Sequence, residues 1–172
     1  DERDSLTDPT RGVFWTATSE LSRTWLGSEV DYVRLYGQFF AYRKLGPLVW
    51  AQGLRLGTVP GQDPLLLLEN RFMVGGSTTV RGFAQNALGP TLTTGEPIGG
   101  QAVVVLNEEL RFPIWKKLQG GAFWDAGNSW ATSEELSFTD LRQSVGVGLR
   151  FLLPFGPIRV DYSWVVKPGP EE

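Results

Sequence analysis

Segment after segment of this chain alternates apolar and polar residues, the period-two signature of strands. Residues 12–21 place Val13, Trp15 and Ala17 on one face and Phe14, Thr16, Thr18 and Glu20 on the other. Residues 30–43 set Val33, Leu35, Gly37, Phe39 and Ala41 against Arg34, Tyr36, Gln38, Phe40 and Tyr42, and residues 48–59 set Trp50, Leu54 and Leu56 against Ala51, Gly53, Arg55 and Gly57. The same alternation predicts strands over 101–113, 118–127, 141–153 and 158–166, seven in all, with no convincing helix between them. Two residues break the apolar faces, Gln52 and Glu108.

The connections alternate too. Residues 44–47, 114–117 and 154–156 are tight, whereas 23–29, 60–100 and 128–140 are longer, so one rim of an up-and-down sheet carries turns and the other carries loops. The polar faces hold Arg34, Arg55, Glu109, Arg111, Asp125, Arg142, Arg150, Arg159 and Asp161. That is too much charge for a dry core. Two architectures share this alternation: an antiparallel sheet with its apolar face packed on a core and its charged face in water, or a transmembrane barrel with lipid outside and a wet lumen. The span of residues 30–43 is long for a globular strand, and with the rim asymmetry it favours the barrel. The predicted fold is therefore all-β, an antiparallel up-and-down transmembrane β-barrel, partial at about seven strands, with a long infolded loop.

That loop, residues 60–100, is roughly forty residues long, far beyond an ordinary connection, which marks it as functional or disordered. Its centre, Val80-Arg81-Gly82-Phe83, argues for order: a cation, a glycine and an aromatic follow a Gly75-Gly76 bend. If Arg81 is buried it needs a carboxylate, because an unpaired buried charge is costly; otherwise it is a solvated loop cation.

Composition narrows the chemistry. A net charge of -3 and a pI near 5.1 provide no basic field for phosphates, so nucleic acid is disfavoured as a partner. Cysteine and histidine are both absent from the 172 residues, which removes thiolate and imidazole ligands, disulfides and the commonest general base. No metal or other cofactor is expected, and no catalytic residue. Glu109 and Asp125 as an acid/base pair is the least favoured reading, since structural carboxylates are far commoner. No run approaches the ~20 apolar residues of a spanning helix, and hydropathy windows miss spanning β-strands.

At Val80-Arg81-Gly82-Phe83, and again at Phe123-Trp124-Asp125-Ala126-Gly127, the chain closely resembles the carboxy-terminal half of the BamA/TamA-type outer-membrane assembly factors, whose relatives include two-partner-secretion transporters. That family carries a VRGF or VRGY motif in a long extracellular loop and F-x-D-x-G on the strand two places later. GGQAVVVLNEELRFP resembles the strand between them, and SVGVGLRFLLPFGPIRVDYS a hairpin close to the family's carboxy terminus. The four motifs stand in order and cover nearly the whole chain. The resemblance implies that the loop folds back into the barrel and that Arg81 pairs with Asp125, with Glu109 as a second partner. Gly82 would permit the close approach and Phe83 would cover the pair. Phe123 and Gly127 complete the wall motif; the alternative for Asp125 is a cap at the loop rim.

Residues 1–172 are accordingly read as the carboxy-terminal portion of an outer-membrane β-barrel. The family's soluble repeats and its final strand have no counterpart here, which leaves open edges at 11–22 and 157–166 and implies a fragment of a larger barrel, or a piece completed by another chain. The implied location is the bacterial outer membrane, with lipid and client β-barrel or secreted polypeptides as partners. The expected function is assembly and insertion of barrel proteins, without bond chemistry; the alternatives are a polypeptide secretion pore and a structural barrel that anchors a passenger domain.

Overall fold

In a computed structural model, which describes residues 1–29, 31–60, 70–154 and 156–167, the chain forms one antiparallel sheet of seven strands. They are β1 (Gly12–Ser22), β2 (Tyr32–Leu45), β3 (Leu48–Thr58), β4 (Ala102–Trp115), β5 (Leu118–Trp130), β6 (Arg142–Leu153) and β7 (Gly156–Lys167). Each strand pairs with the next in sequence, so spatial order repeats chain order and β1 and β7 are the edges. The remaining regular structure among the described residues includes two single 3-10 turns, Thr24–Leu26 and Phe138–Asp140. Val30 and residues 61–69, parts of the predicted second strand and long loop, lie outside the described residues, as does Phe155 of the last turn.

The register matches the alternation. Phe39 sits opposite Leu54, Leu54 opposite Leu106, Leu106 opposite Ala126, and Val147 opposite Tyr162, which makes one continuous apolar face. That face does not pack on a core: Trp15, Phe39, Leu56, Ile114, Val147, Leu149, Val160 and Tyr162 are all exposed. A sheet folded in water would hide these side chains, so their exposure removes the alternative of a one-sided soluble sheet. The two polar exceptions satisfy each other on this face. Gln52 and Glu108 are cross-strand partners, and Glu108 accepts from Gln52 Nε2 at 3.0 Å and from Trp50 Nε1 at 2.6 Å.

The opposite, charged face is covered by the long loop. Phe72 pairs with Gly100 and Val74 with Leu88 in short bridges inside the loop, and its apolar side chains form a cluster with the wall: Phe72, Val74, Val80 and Leu88 against Val59, Val103 and Val105. Val103 and Val105, apolar residues on the charged face, are the seat for the loop. A smaller cluster on the outer face joins Ala102, Val104, Ala126, Trp130 and Leu141.

Several boundaries differ from the alternation-based expectation, among them the ends of β2, β4, β5 and β7. β5 runs to Trp130 because Asn128, Ser129 and Trp130 continue the ladder with Val104, Val103 and Ala102, although their polarity reads as loop. β4 extends to Trp115, with a register shift between Pro113 and Trp115 where proline cannot donate to the ladder. The opening residues are not a loose tail. Glu2 N–H donates to Val13 O at 2.8 Å and Asp4 N–H to Arg11 O at 3.1 Å, which covers part of the β1 edge.

Candidate functional site

The clamp between loop and wall is built from one guanidinium. Arg81 is 7% exposed and Asp125 0%. Arg81 Nε donates to Asp125 Oδ2 at 2.7 Å and Nη2 to Oδ1 at 2.8 Å, a bidentate pair, and the main-chain N–H of Arg81 adds a third bond to Oδ2 at 3.1 Å. Such a fork fixes orientation as well as charge. Nη1 then reaches Glu109 Oε2 at 3.0 Å. Burial works against the charge of Arg81, but the bonds to Asp125 and the charges of Asp125 and Glu109 outweigh it, so its proton is held more tightly than in a free arginine.

Local sequence explains how the loop comes so close. Gly75 and Gly76 have φ of 112° and 94°, and Gly82 has φ of 93°, left-handed values that favour glycine. On the wall, a Cβ at Gly127 would lie 2.8 Å from Val80 Cγ2 and 3.0 Å from Val104 O, so only glycine admits the buried Val80. The F-x-D-x-G spacing thus has a steric basis: at alternate inward positions Phe123 stacks on the guanidinium, Asp125 supplies its counter-charge and Gly127 makes room for the preceding valine.

Phe83, expected over the ion pair, packs beside the loop's apolar cluster. The aromatic on Arg81 is Phe123, whose ring centroid lies 3.4 Å from the guanidinium carbon. A guanidinium stacks on a ring face and keeps its in-plane N–H groups free for carboxylates.

The site is also larger than the motifs. Asn107 Nδ2 donates to Thr79 O at 2.7 Å and to Asp125 Oδ1 at 2.8 Å, holding the loop backbone and orienting the carboxylate. Glu109 is shared: it pairs with Arg111 Nε at 3.1 Å and with Arg150 as well as with Arg81. Arg111 also reaches the opening segment, with Nη1 donating to Pro9 O at 3.2 Å and lying 3.5 Å from Asp8. Asp161 joins through Arg159 and Arg81. Four guanidiniums (Arg81, Arg111, Arg150, Arg159) therefore face four carboxylates (Asp8, Glu109, Asp125, Asp161), a balanced network rather than a surplus of either sign. The sequence signal for the added members was their place on the polar faces, except for Asp8, which lies in the opening segment before β1. Among the described residues, no group of three or more acidic side chains is arranged to hold a metal ion.

An up-and-down sheet with an exposed apolar exterior and a charged interior sealed by an infolded loop defines a segment of an outer-membrane β-barrel. Residues 1–171 match the Omp85 superfamily domain, and the chain belongs to that superfamily. It is 29% identical over 177 aligned residues to the outer membrane protein assembly factor BamA of Nitratidesulfovibrio vulgaris, covering 98% of this chain and 22% of the relative. The BamA of Neisseria meningitidis is 26% identical, with 98% and 26% covered. The mouse sorting and assembly machinery component 50 homolog is 31% identical over 70% of this chain and 26% of its own length. The chain thus spans about a quarter of the curated relatives it matches. The crystal structure of BamA from Haemophilus ducreyi lacking POTRA domains 1-3 shares the fold, with a TM-score of 0.82 over 99% of this chain and 38% of that one, at 22% identity. The location is the bacterial outer membrane.

Proposed function

We propose that residues 1–172 are the carboxy-terminal portion of an outer-membrane barrel that assembles client β-barrel proteins, with the Arg81–Asp125 clamp holding the infolded loop in its working position. The observation that carries this reading is the bidentate clamp itself: a loop tip buried against the wall by three bonds to one fully buried carboxylate is a built structural element. Breaking a buried ion pair from one side costs about 3–5 kcal/mol, enough to change how the loop sits. No bond in a client is made or broken. Lipid meets the exposed apolar face, and a client strand enters by pairing with backbone at a sheet edge, as in β-augmentation. Kinship with proteins named as assembly factors supports the same reading. The test is Arg81→Ala in the full-length protein, read as the rate at which client barrels reach their folded, heat-modifiable form in the outer membrane. A marked loss is expected; undiminished assembly would overturn the reading.

A further inference from the structure

The GPIRVDYS segment of β7 brings Arg159 and Asp161 into the ion network, and three of its inward side chains meet the loop. Arg159 Nη2 donates to Ser77 O at 3.1 Å. Asp161 Oδ2 pairs with Arg159 Nε at 2.8 Å and lies 3.5 Å from Arg81 Nη1. Ser163 lies against Gly82, where a Cβ would stand 3.1 Å from Ser163 Oγ. Three successive inward positions on one strand thus touch Ser77, Arg81 and Gly82, the two ends of the loop's tip.

From this we infer that Arg159 and Asp161 are positioning residues that latch the loop to β7, so that loop seating and the placement of β7 are coupled. Two observations support the latch. Asp161 reaches the loop by lying over Gly148 of β6, where a Cβ would fall 2.2 Å from Asp161 Oδ1; glycine there keeps the seat open. The grip is also graded: Arg81 holds Asp125 at 2.7 and 2.8 Å but Asp161 at 3.5 Å, the outer limit of a hydrogen bond. If β7 moves, Arg81 keeps its bidentate partner on β5 and loses only the weaker one, so β7 can shift without expelling the loop. Coupling of this kind is reciprocal: loosening the loop also loosens β7.

This inference rests on the loop's being the element that holds the barrel in its working shape, and the two ideas fail separately. The experiment compares Asp161→Asn, Asp161→Glu and Gly148→Ala in the full-length protein, with amide exchange followed over residues 76–82 and 157–166. Gly148→Ala keeps every charge and displaces only the flexible end of Asp161, so it folds. Asp161→Asn and Gly148→Ala are expected to speed exchange in both segments by about fivefold or more, the lower range of ordinary coupling, and Asp161→Glu to stay close to the unaltered protein. Unchanged exchange in both segments for Asp161→Asn and Gly148→Ala would overturn the latch, even if Arg81→Ala still abolished client assembly. Intact assembly in Arg81→Ala would overturn the functional reading and leave the exchange result standing.

Discussion

Asn107 and Asp125 are cross-strand partners on β4 and β5, and the Asn107 amide nitrogen bonds both the Asp125 carboxylate and the Thr79 carbonyl of the loop. Its own oxygen accepts from Arg55 Nη1 at 2.7 Å. One side chain therefore ties wall, loop and counter-charge together. Asn107→Ala leaves the Thr79 carbonyl without its donor and is expected to cost about 1–3 kcal/mol. Asn107→Asp is expected to cost more, because it sets a second carboxylate against Asp125. The midpoint of urea unfolding checks both.

Two glycines of β5 separate close approach from mere proximity. Gly127→Ala is expected to unseat the loop, since its Cβ would meet Val80 at 2.8 Å and the rigid Val104 carbonyl at 3.0 Å. Gly121→Ala meets nothing nearer than Glu109 Oε1 at 3.6 Å, an ordinary contact, and is expected to be tolerated. Protection of the loop from protease in the folded barrel distinguishes the two variants.

The shared acid Glu109 carries a charge-balance prediction. Glu109→Gln leaves Arg111 and Arg150 short of an acceptor and is expected to destabilise by about 3 kcal/mol or more. Adding Arg150→Met removes one cation as well and restores equal numbers, so the double variant is expected to be more stable than Glu109→Gln alone. A double-mutant cycle reads the coupling directly.

Much of this arrangement was legible in the residues because a strand's side-chain period is two. The sheet order, the inward placement of Glu109 and Asp125 and the pairing of both with Arg81 followed from alternation together with the VRGF and F-x-D-x-G resemblance. What was not legible depended on contacts across strands or around the loop. Gln52 and Glu108 read as separate flaws in the apolar face until the register made them partners. Phe83 was the expected cover for Arg81, and the stacking of Phe123 on it was not foreseen, because which ring stacks depends on the path of the loop. The polar run Asn128-Ser129 hid the last turn of the β5 ladder, since only the partner strand shows that pairing continues; Ser129 Oγ even donates to Leu88 O of the loop at 3.1 Å.

The opening segment has its own acid response. Asp4 accepts from the Thr10 hydroxyl at 2.6 Å and from the Thr10 and Arg11 N–H groups at 2.8 and 3.1 Å, and the Thr10 hydroxyl bond above all draws its pKa from 3.8 down to about 2. A carboxyl with a depressed folded pKa contributes stability that is complete above its unfolded pKa and is lost as pH falls through the folded one. Residues 1–11 are expected to stay attached at pH 5 and to loosen progressively between about pH 4 and 2, an effect that Asp4→Asn removes. Amide exchange of Thr10 and Arg11 against pH measures it.

Arg81 is itself a tryptic site, and that gives the central claim its most direct measurement: the rate at which trypsin cuts the Arg81–Gly82 bond in the folded full-length protein, with and without Asp125→Ala. With its guanidinium held by Asp125 and Glu109, the bond is predicted to survive in the unaltered protein and to be cut readily in the Asp125→Ala variant, while cleavage elsewhere is unchanged. Rapid cleavage of the unaltered protein at Arg81, or equal resistance in both proteins, would contradict a loop clamped to the wall by this pair.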